Sequence, residues 1–536
     1  MTVLRATACC VLCVAGFPAL AGAPEPLVFA NGFEAVAVSL CSVVAPGNTT
    51  VATPQLAATL HDSFHESWLG SPAVVDLQGD GTPEILAARS GLVLGWHMDG
   101  QIVFRATVTG RIWSSPIVAD LVSSQPGLEV AVAARGQIYA WNAAGTPLPG
   151  FPHVWRDELR SIAAGDIDAD GDLELVVTTT QRLEANGQRD LLYAIHHNGV
   201  PVVGFPPNTS GAAGCTTTCF VTGGFDQNVA LGNVDADAAL EVFAGHDNAY
   251  LSLHDGSGRA FDAASIFNNR DKISGVRSML DYALAQQGFA NNEQVDNQGH
   301  FTNSAPTFAD VDGDGTRELV ILGSVQNAAQ TDRQRGVALW VMRPNGTRPA
   351  AWVAPYHAPV YLAGLQDFAG TNMVAATNQP AVADIDPTRP GPEFVFAAFD
   401  GRIHAVDSSR QAMWQHTYST DARVLTTGVA IGDLSGDGRP EIVFASYSPD
   451  AGKSNLFVID AQGNRLHTLP LPDRGVMSVP TLADADANGT LDIVLNLKDG
   501  VSGVRQVLVY AVPGAKSNCL PWPTGRANLL RTGNPP

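Results

Sequence analysis

Positive charge is scarce in this chain. Its 536 residues hold 31 Lys and Arg against 52 Asp and Glu, a formal net charge of −21 at pH 7. No basic run breaks that balance, so a nucleic-acid partner is not expected, because phosphate backbones are held by clustered cations. Past the N-terminus no apolar run is long enough to cross a bilayer, and no membrane span is expected. G-x-S-x-G, a phosphate-binding P-loop and C-x-x-C-H are all missing, which removes the usual sequence signs of a serine nucleophile, a nucleotide site and a haem. Cysteine is sparse too, with 7 in the whole chain. A length of 536 residues would suit two or three ordinary domains, unless the chain repeats itself.

It does repeat. Residues 310–320 read D-V-D-G-D-G-T-R-E-L-V, with Asp310, Asp312 and Asp314 at every second position, Gly315 next and Glu318 at the ninth place. Carboxylates spaced by two in a tight loop point at one spot, and the glycine permits the sharp turn. That is how a chain cages a hard, oxygen-seeking cation such as Ca²⁺. An EF-hand opens the same way but needs a Glu at the twelfth place and flanking helices. Here the flanks are short, apolar and β-prone, so the loop reads as the tip of a β-hairpin. Copies start at Asp76, Asp120, Asp166, Asn233, Asp310, Asp384, Asp433 and Asp484, separated by 44, 46, 67, 77, 74, 49 and 51 residues. A unit of about 45 residues, with inserts in the middle copies, has the size of one four-stranded propeller blade. The expected fold is all-β: an eight-bladed β-propeller of antiparallel blades with one short helical insert near 273–287, a seven-bladed ring being the alternative.

The eight loops resemble the FG-GAP/VCBS repeats of bacterial secreted proteins and of the integrin α-subunit head, over about residues 54–536. The resemblance implies a propeller with Ca²⁺ between the first and second strands of several blades. It does not imply one activity, since such propellers serve as adhesion heads, lectins, assembly proteins and, less often, polysaccharide lyases. Five loops keep enough oxygen ligands: Asp76, Gln78, Asp80 and Glu84; Asp166, Asp168, Asp170 and Glu174; Asp310, Asp312, Asp314 and Glu318; Asp433, Ser435, Asp437 and Glu441; Asp484, Asp486, Asn488 and Asp492. A weaker candidate joins Asn233, Asp235, Asp237 and Glu241, with Ala238 where glycine is wanted. The copies at Asp120 and Asp384 are a residue longer, carry Pro-Gly and read as metal-free turns. About half of the 52 acidic residues lie in these loops, so much of the surplus is site charge. The role expected of the Ca²⁺ is mainly structural.

Arg5, the apolar stretch 6–20 and Ala19-Leu-Ala21 read as a secretory signal ending near residue 21, followed by a leader over 22–53. The mature chain is expected to be secreted or periplasmic and monomeric. Once Cys9, Cys10 and Cys13 leave with the signal, Cys41, Cys215, Cys219 and Cys519 remain, and an even number in an exported chain favours disulfides. Of three possible pairings the expected one is Cys215–Cys219 with Cys41–Cys519, the second clamping the ends of the ring. Residues 54–66 are expected to give the last blade its outer strand, and the tail 513–536 to pack over that seam.

In a four-stranded meander, loops between strands one and two and between three and four share a face. The longer inserts all fall in the other class, on the face away from the acidic loops. Function-bearing loops cluster on one side of a rigid scaffold, so a carbohydrate or extracellular-protein ligand is expected there. The candidate contacts are Trp113, Trp155, Arg156, Arg160, Phe225, Arg277, Tyr282, Tyr356, His357 and Tyr361. No catalytic residue stands out. The expected function is a non-catalytic binding or adhesion module, the alternative a calcium-dependent polysaccharide lyase similar to the rhamnogalacturonan lyases. His196 and His197 read as an exposed turn. The aromatics Trp96, Trp141, Tyr193, Trp340 and Tyr510 read as blade packing at equivalent places in strand three.

Overall fold

The computed structural model describes residue 41, residues 50–62, 65–182, 192–207, 229–235, 237–245, 251–259, 261, 280–285, 297–301, 304–326, 335–362, 379–499, 506–516 and 519–534. The signal and nearly all of the leader, Cys215, Cys219, Phe225 and Arg277 lie outside them. Most of the segment read as an amphipathic helix does too; within the described part, Tyr282–Ala285 is helical.

The strands form eight antiparallel sheets, which excludes the seven-bladed alternative. Blade 1 runs Ala73–Val75, Glu84–Arg89, Leu92–Trp96 and Ile102–Thr107. Blades 2 to 7 repeat the meander from Ile117–Ala119, Asp157–Gly165, Val229–Gly232, Thr307–Ala309, Ala381–Ala383 and Ala430–Gly432. Blades 3 and 4 show three strands each among the described residues. Burial falls outward, as radial packing requires. In blade 7 Glu441–Tyr447 is buried throughout, whereas the outer strand Arg465–Pro470 meets solvent at every position. Buried Ala, Val, Ile and Leu from facing sheets fill the wedges between blades; Val320, Leu322 and Val341 of blade 5, for example, share a cluster with Phe394, Val395 and Phe396 of blade 6.

The aromatic residues of strand three are buried as expected, yet they occupy two registers rather than one. Trp96, Trp141 and Tyr510 stand opposite Ile85, Val130 and Ile493, one place after the closing acid. Tyr193 and Trp340 stand two places further along, opposite Val177 and Ile321. A shift of two keeps the side chain on the same face of the strand.

Blade 8 is assembled from both ends of the chain. Thr481–Ala483, Thr490–Asn496 and Val507–Lys516 are its first three strands, and Gln55–Leu60 pairs with Val507–Lys516 as the fourth. Across that junction the buried Arg89 of blade 1 donates to the carbonyls of Leu497 and Gln506 of blade 8 and to that of His65. A disulfide joins Cys41 to Cys519.

The tail after residue 518 meets this junction from the hub side, where Thr524 Oγ1 reaches Thr481 Oγ1 of blade 8 and the Pro72 carbonyl ahead of blade 1, and it does not stop there. It passes round the inside of the ring, where the backbone ends of the short inner strands would otherwise face a channel. The amides of Ile431, Leu482, Val118, Ala164 and Leu231 donate in turn to the carbonyls of Trp522, Pro523, Leu529, Leu530 and Thr532. Those five amides belong to blades 7, 8, 1's neighbour blade 2, 3 and 4, so the tail follows the ring nearly all the way round. Two arginines anchor it. Arg531 donates to the carbonyls of Pro116, Gly525 and Pro72, and Arg526 to that of Pro306. The prolines opening several inner strands thus turn their carbonyls toward the hub. Burial pushes both guanidinium groups down to about 9, so both stay charged at neutral pH. Close approach demands small residues here: a Cβ on Gly432 would sit 2.8 Å from Leu520 of the tail.

Candidate metal centres and the opposite face

Each acidic loop joins the first and second strands of its blade, and two carboxylates give it shape. The first-place Asp caps the turn. Asp310 accepts from the amides of Gly313, Asp314 and Gly315 at 2.8, 3.1 and 3.0 Å. Asp76, Asp433 and Asp484 accept in the same way from Gly81, Gly438 and Gly489. The closing acid is the first residue of the second strand in seven blades and the third, Asp492, in blade 8; it is buried and turns one oxygen back to the amide at the loop's second place. That bond recurs in all eight blades, from Leu77 to Glu84 (2.7 Å), Leu121 to Glu129 (2.8 Å), Ile167 to Glu174 (3.0 Å) and Val234 to Glu241 (2.8 Å). It continues from Val311 to Glu318 (2.9 Å), Ile385 to Glu393 (2.8 Å), Leu434 to Glu441 (2.6 Å) and Ala485 to Asp492 (2.9 Å). Glu129 and Glu393 make it in loops that lack the alternating aspartates, so this bond belongs to the hairpin itself.

In five loops the ligand atoms gather within 4.8 Å of one another: Asp168, Asp170, Glu174 and His196; Asp235, Asp237 and Glu241; Asp310, Asp312 and Glu318; Asp433, Asp437 and Glu441; Asp484, Asp486 and Asp492. These clusters could hold a metal ion. The loop of Asn233 is among them. Asp76, Asp80 and Glu84 are not gathered in this way among the described residues, the third place being Gln78, and the second oxygen of Glu84 meets Nε2 of His97 at 3.1 Å. Of the remaining loop oxygens, Asp314 and Asn488 accept from Thr316 and Thr490, while Ser435 donates to Asp433.

The donor set suits a hard cation, being carboxylate oxygen in every cluster with one imidazole added. Buried oxygens without a hydrogen bond reinforce the fit: Glu318 Oε1, Asp492 Oδ1 and Asp166 Oδ1. Burial, then the neighbouring aspartates, pushes Glu318 to about 7 and Asp492 to about 6; burial first of all pushes Glu241 and Glu441 to about 8 and raises Glu174. A bound cation supplies the charge that ionises such groups.

Register explains a feature the sequence reading missed. The residue opposite the closing acid on strand three opens the next hairpin turn, so its side chain reaches the same cluster. Glu174 stands opposite His196, and His196 Nδ1 lies 3.0 Å from Glu174 Oε1. His196 is therefore part of a cluster rather than only an exposed turn. Arg343 holds the matching place in blade 5, with Nη2 2.7 Å from Asp312. The signal was present in the sequence as the residue three places before the turn's Gly, as His97, His196 and Arg343 stand to Gly100, Gly199 and Gly346, but pairing it with a particular acid needs the register.

The antiparallel topology puts the interblade connections and the second-to-third-strand loops at the end of the sheets away from the clusters. Four expected contact residues fall there together. Trp113 leads into blade 2, and Trp155, Arg156 and Arg160 into blade 3. Arg160 stands over the Trp113 ring at 3.9 Å and Arg156 over Trp155 at 4.7 Å, while Trp155 stacks on Tyr193 at 3.6 Å. The others are apart from them. Tyr356 and His357 sit in the outer strand Tyr356–Ala358 rather than in an insert, Tyr356 against Phe396 and His404 of blade 6 and His357 on the Arg335 carbonyl. Tyr361 packs against the core, and Tyr282 faces Arg348 at 5.3 Å. Sequence reasoning missed Trp68, Arg111, Lys498 and Arg474. Lys498 lies 3.6 Å from the Trp68 ring, and Glu66 bridges Lys498 (3.2 Å) and Arg474 (2.8 Å). No helix among the described residues is long and apolar enough to cross a membrane.

No model of a known protein family matches the chain, and no curated protein matches it. Among solved structures, the quinohemoprotein alcohol dehydrogenase ADHIIG of Pseudomonas putida HK5 aligns at a TM-score of 0.50 and 12% identity, over 88% of this chain and 78% of that one. The V. cholerae biofilm matrix protein Bap1 aligns at 0.40 and 12% identity, over 90% and 96%. A Bacillus licheniformis rhamnogalacturonan lyase aligns at 0.36 and 11%, over 87% and 91%. At such identities the likeness concerns the fold alone, and the chain is an eight-bladed β-propeller.

Proposed function

We propose that this chain is an exported, calcium-stabilised propeller of the FG-GAP/VCBS type that binds a carbohydrate or an extracellular protein through the face opposite its acidic loops, without catalysis. One observation carries the reading: five oxygen-rich clusters, each built on a buried closing acid, all lie at one end of the sheets, and the aromatic and cationic side chains gathered around Trp68, Trp113 and Trp155 lie at the other. Asp76 and its loop supply a further, looser set of oxygens. The Cys41–Cys519 disulfide fits an oxidising compartment. Extracellular modules hold Ca²⁺ at roughly 10⁻⁴–10⁻³ M, so each filled site contributes about 1–2 kcal/mol in millimolar calcium. Calorimetry in chelator and in a few millimolar Ca²⁺ tests the metal part. A large rise in Tm with Ca²⁺ is expected, and equal Tm values in both buffers overturn it. Binding screens with glycans and matrix proteins test the partner.

The lyase alternative has one observation in its favour. Burial pushes the Lys498 ammonium down to about 8, beside Arg474 on the face opposite the clusters, and a lysine poised near neutrality can act as a base. Unsaturated-sugar absorbance appearing on pectin would establish that reading over the first.

A further inference from the structure

The face away from the acidic loops carries a continuous row of indoles and cations drawn from four separate stretches of chain. Lys498 lies under Trp68. The Trp68 and Trp113 rings are 5.0 Å apart and inclined at 53°. The Arg111 guanidinium stands 4.5 Å from the first ring and 4.8 Å from the second, and Arg160 backs the second ring.

These cations divide into two kinds. Lys498 and Arg160 are buried, 2% and 8% exposed, and are held by Glu66 and Glu158 at 3.2 and 3.1 Å. They fix the indoles from beneath, as cation–π contacts in a desolvated setting do. Arg111 is exposed, its contacts are the two rings, and no ion pair reaches it among the described residues. The two indoles are half-buried, and the buried Nε1 of Trp68 has no acceptor. In a chain with a net charge of −21, an exposed guanidinium aligned by two aromatic rings and answered by no carboxylate is a site made for an anion from outside. Much of the negative charge is remote from it, in the loops at the other end of the sheets.

We propose that Trp68, Arg111 and Trp113 form a subsite for an acidic glycan. The guanidinium takes the carboxylate or sulfate through paired hydrogen bonds, and the uncovered edges of the half-buried indoles beside it meet the apolar side of the sugar ring. This deepens the reading of that face as a binding surface and rests on it. An acidic peptide would satisfy Arg111 but brings no rigid apolar ring to the indole edges on either side of it, which favours the sugar.

The test is calorimetric titration of the calcium-loaded full chain with three oligosaccharides of similar length: hexagalacturonate, a heparin-derived hexasaccharide and a neutral galactose hexamer. At least one anionic oligosaccharide is expected to bind and the neutral one not; which anion binds separates carboxylate from sulfate. Arg111→Gln is expected to weaken binding about tenfold or more, with partial rescue by Arg111→Lys, and Trp113→Ala to weaken it comparably. Arg111 is exposed, so unchanged thermal unfolding of its variants shows that the fold is intact. Equal binding of the neutral hexamer, or full affinity in Arg111→Gln, overturns the subsite while leaving the wider binding face standing. Absence of binding to all three overturns the subsite as well, whereas the wider reading falls only if matrix proteins and other glycans also fail to bind.

Discussion

Replacing Arg531 by Ala removes the hub's best-connected side chain, and the cost can be worked from its partners. Nε donates to the Pro116 carbonyl at 3.0 Å, Nη1 to Thr524 Oγ1 at 3.1 Å and the Gly525 carbonyl at 2.9 Å, and Nη2 to the Pro72 carbonyl at 3.2 Å. The Pro72 carbonyl keeps a partner in the variant, because Thr481 Oγ1 also donates to it at 2.8 Å. Pro116 loses the arginine bond, and a buried acceptor left unmade costs about 1–3 kcal/mol. The vacated volume adds to this. Relief of a buried charge works the other way, since no carboxylate faces Arg531 among the described residues and Arg526 repels it. The balance is a loss of about 2–4 kcal/mol. Unfolding entropy near 2 cal/mol/K per residue makes 1 kcal/mol worth roughly 1 °C in a ring of this size, so calorimetry should show Tm lower by roughly 2–4 °C. Arg526→Ala is the comparison. Two of its bonds are longer, 3.2 Å to Pro306 and 3.5 Å to the Arg531 carbonyl, and the change also removes the repulsion on Arg531, so its Tm should move less. Lysine at 531 should rescue little, because one ammonium cannot span Pro72 and Pro116 together. An Arg531→Ala Tm within error of the parent, or a larger drop for Arg526→Ala, would refute the view that this side chain holds the tail in the hub.

Two further outcomes follow from the ring. Glu393 closes a loop without alternating aspartates, and its buried Oε1 makes no hydrogen bond while burial pushes the carboxyl up to about 8. The folded state therefore keeps a proton that the unfolded chain releases, and stability present below about pH 4.5 is lost as pH rises toward 8. Glu393→Gln should match the parent near pH 4.5 and exceed it at pH 8 by up to about 4 kcal/mol; a pH-independent difference in Tm would count against the buried carboxyl as the cause. The Cys41–Cys519 bridge spans 478 residues, so Cys41→Ser should lower Tm by an amount corresponding to up to about 6 kcal/mol, a ceiling set by loop-closure entropy. An unchanged Tm would mean that the pairing of 55–60 with blade 8 closes the ring unaided.

What was readable in the sequence was whatever the chain settles within a few residues. An aspartate capping its own turn, and an acid bonded seven or eight positions back, are local contacts that leave a fixed spacing, and eight such spacings led to the eight blades seen in the structure. The same locality makes the turn positions recognisable from Gly and Pro. Positions opposite one another across strands were less legible, because register has to be known before His196 can be assigned to Glu174 or Arg343 to Asp312.

The sequence by itself determined the all-β class and the carboxylate-lined hairpins, because each is specified by a short repeated stretch, and it pointed to eight blades with seven as the alternative that the eight sheets exclude. Only the tertiary structure decided where the tail goes and what stands on the far face. Arg531 meets Pro72 and Pro116, and Lys498 meets Trp68, across hundreds of residues that a closed ring brings side by side. No local pattern records such meetings, since they are set by which blade follows which around the circle and by the space left at its centre.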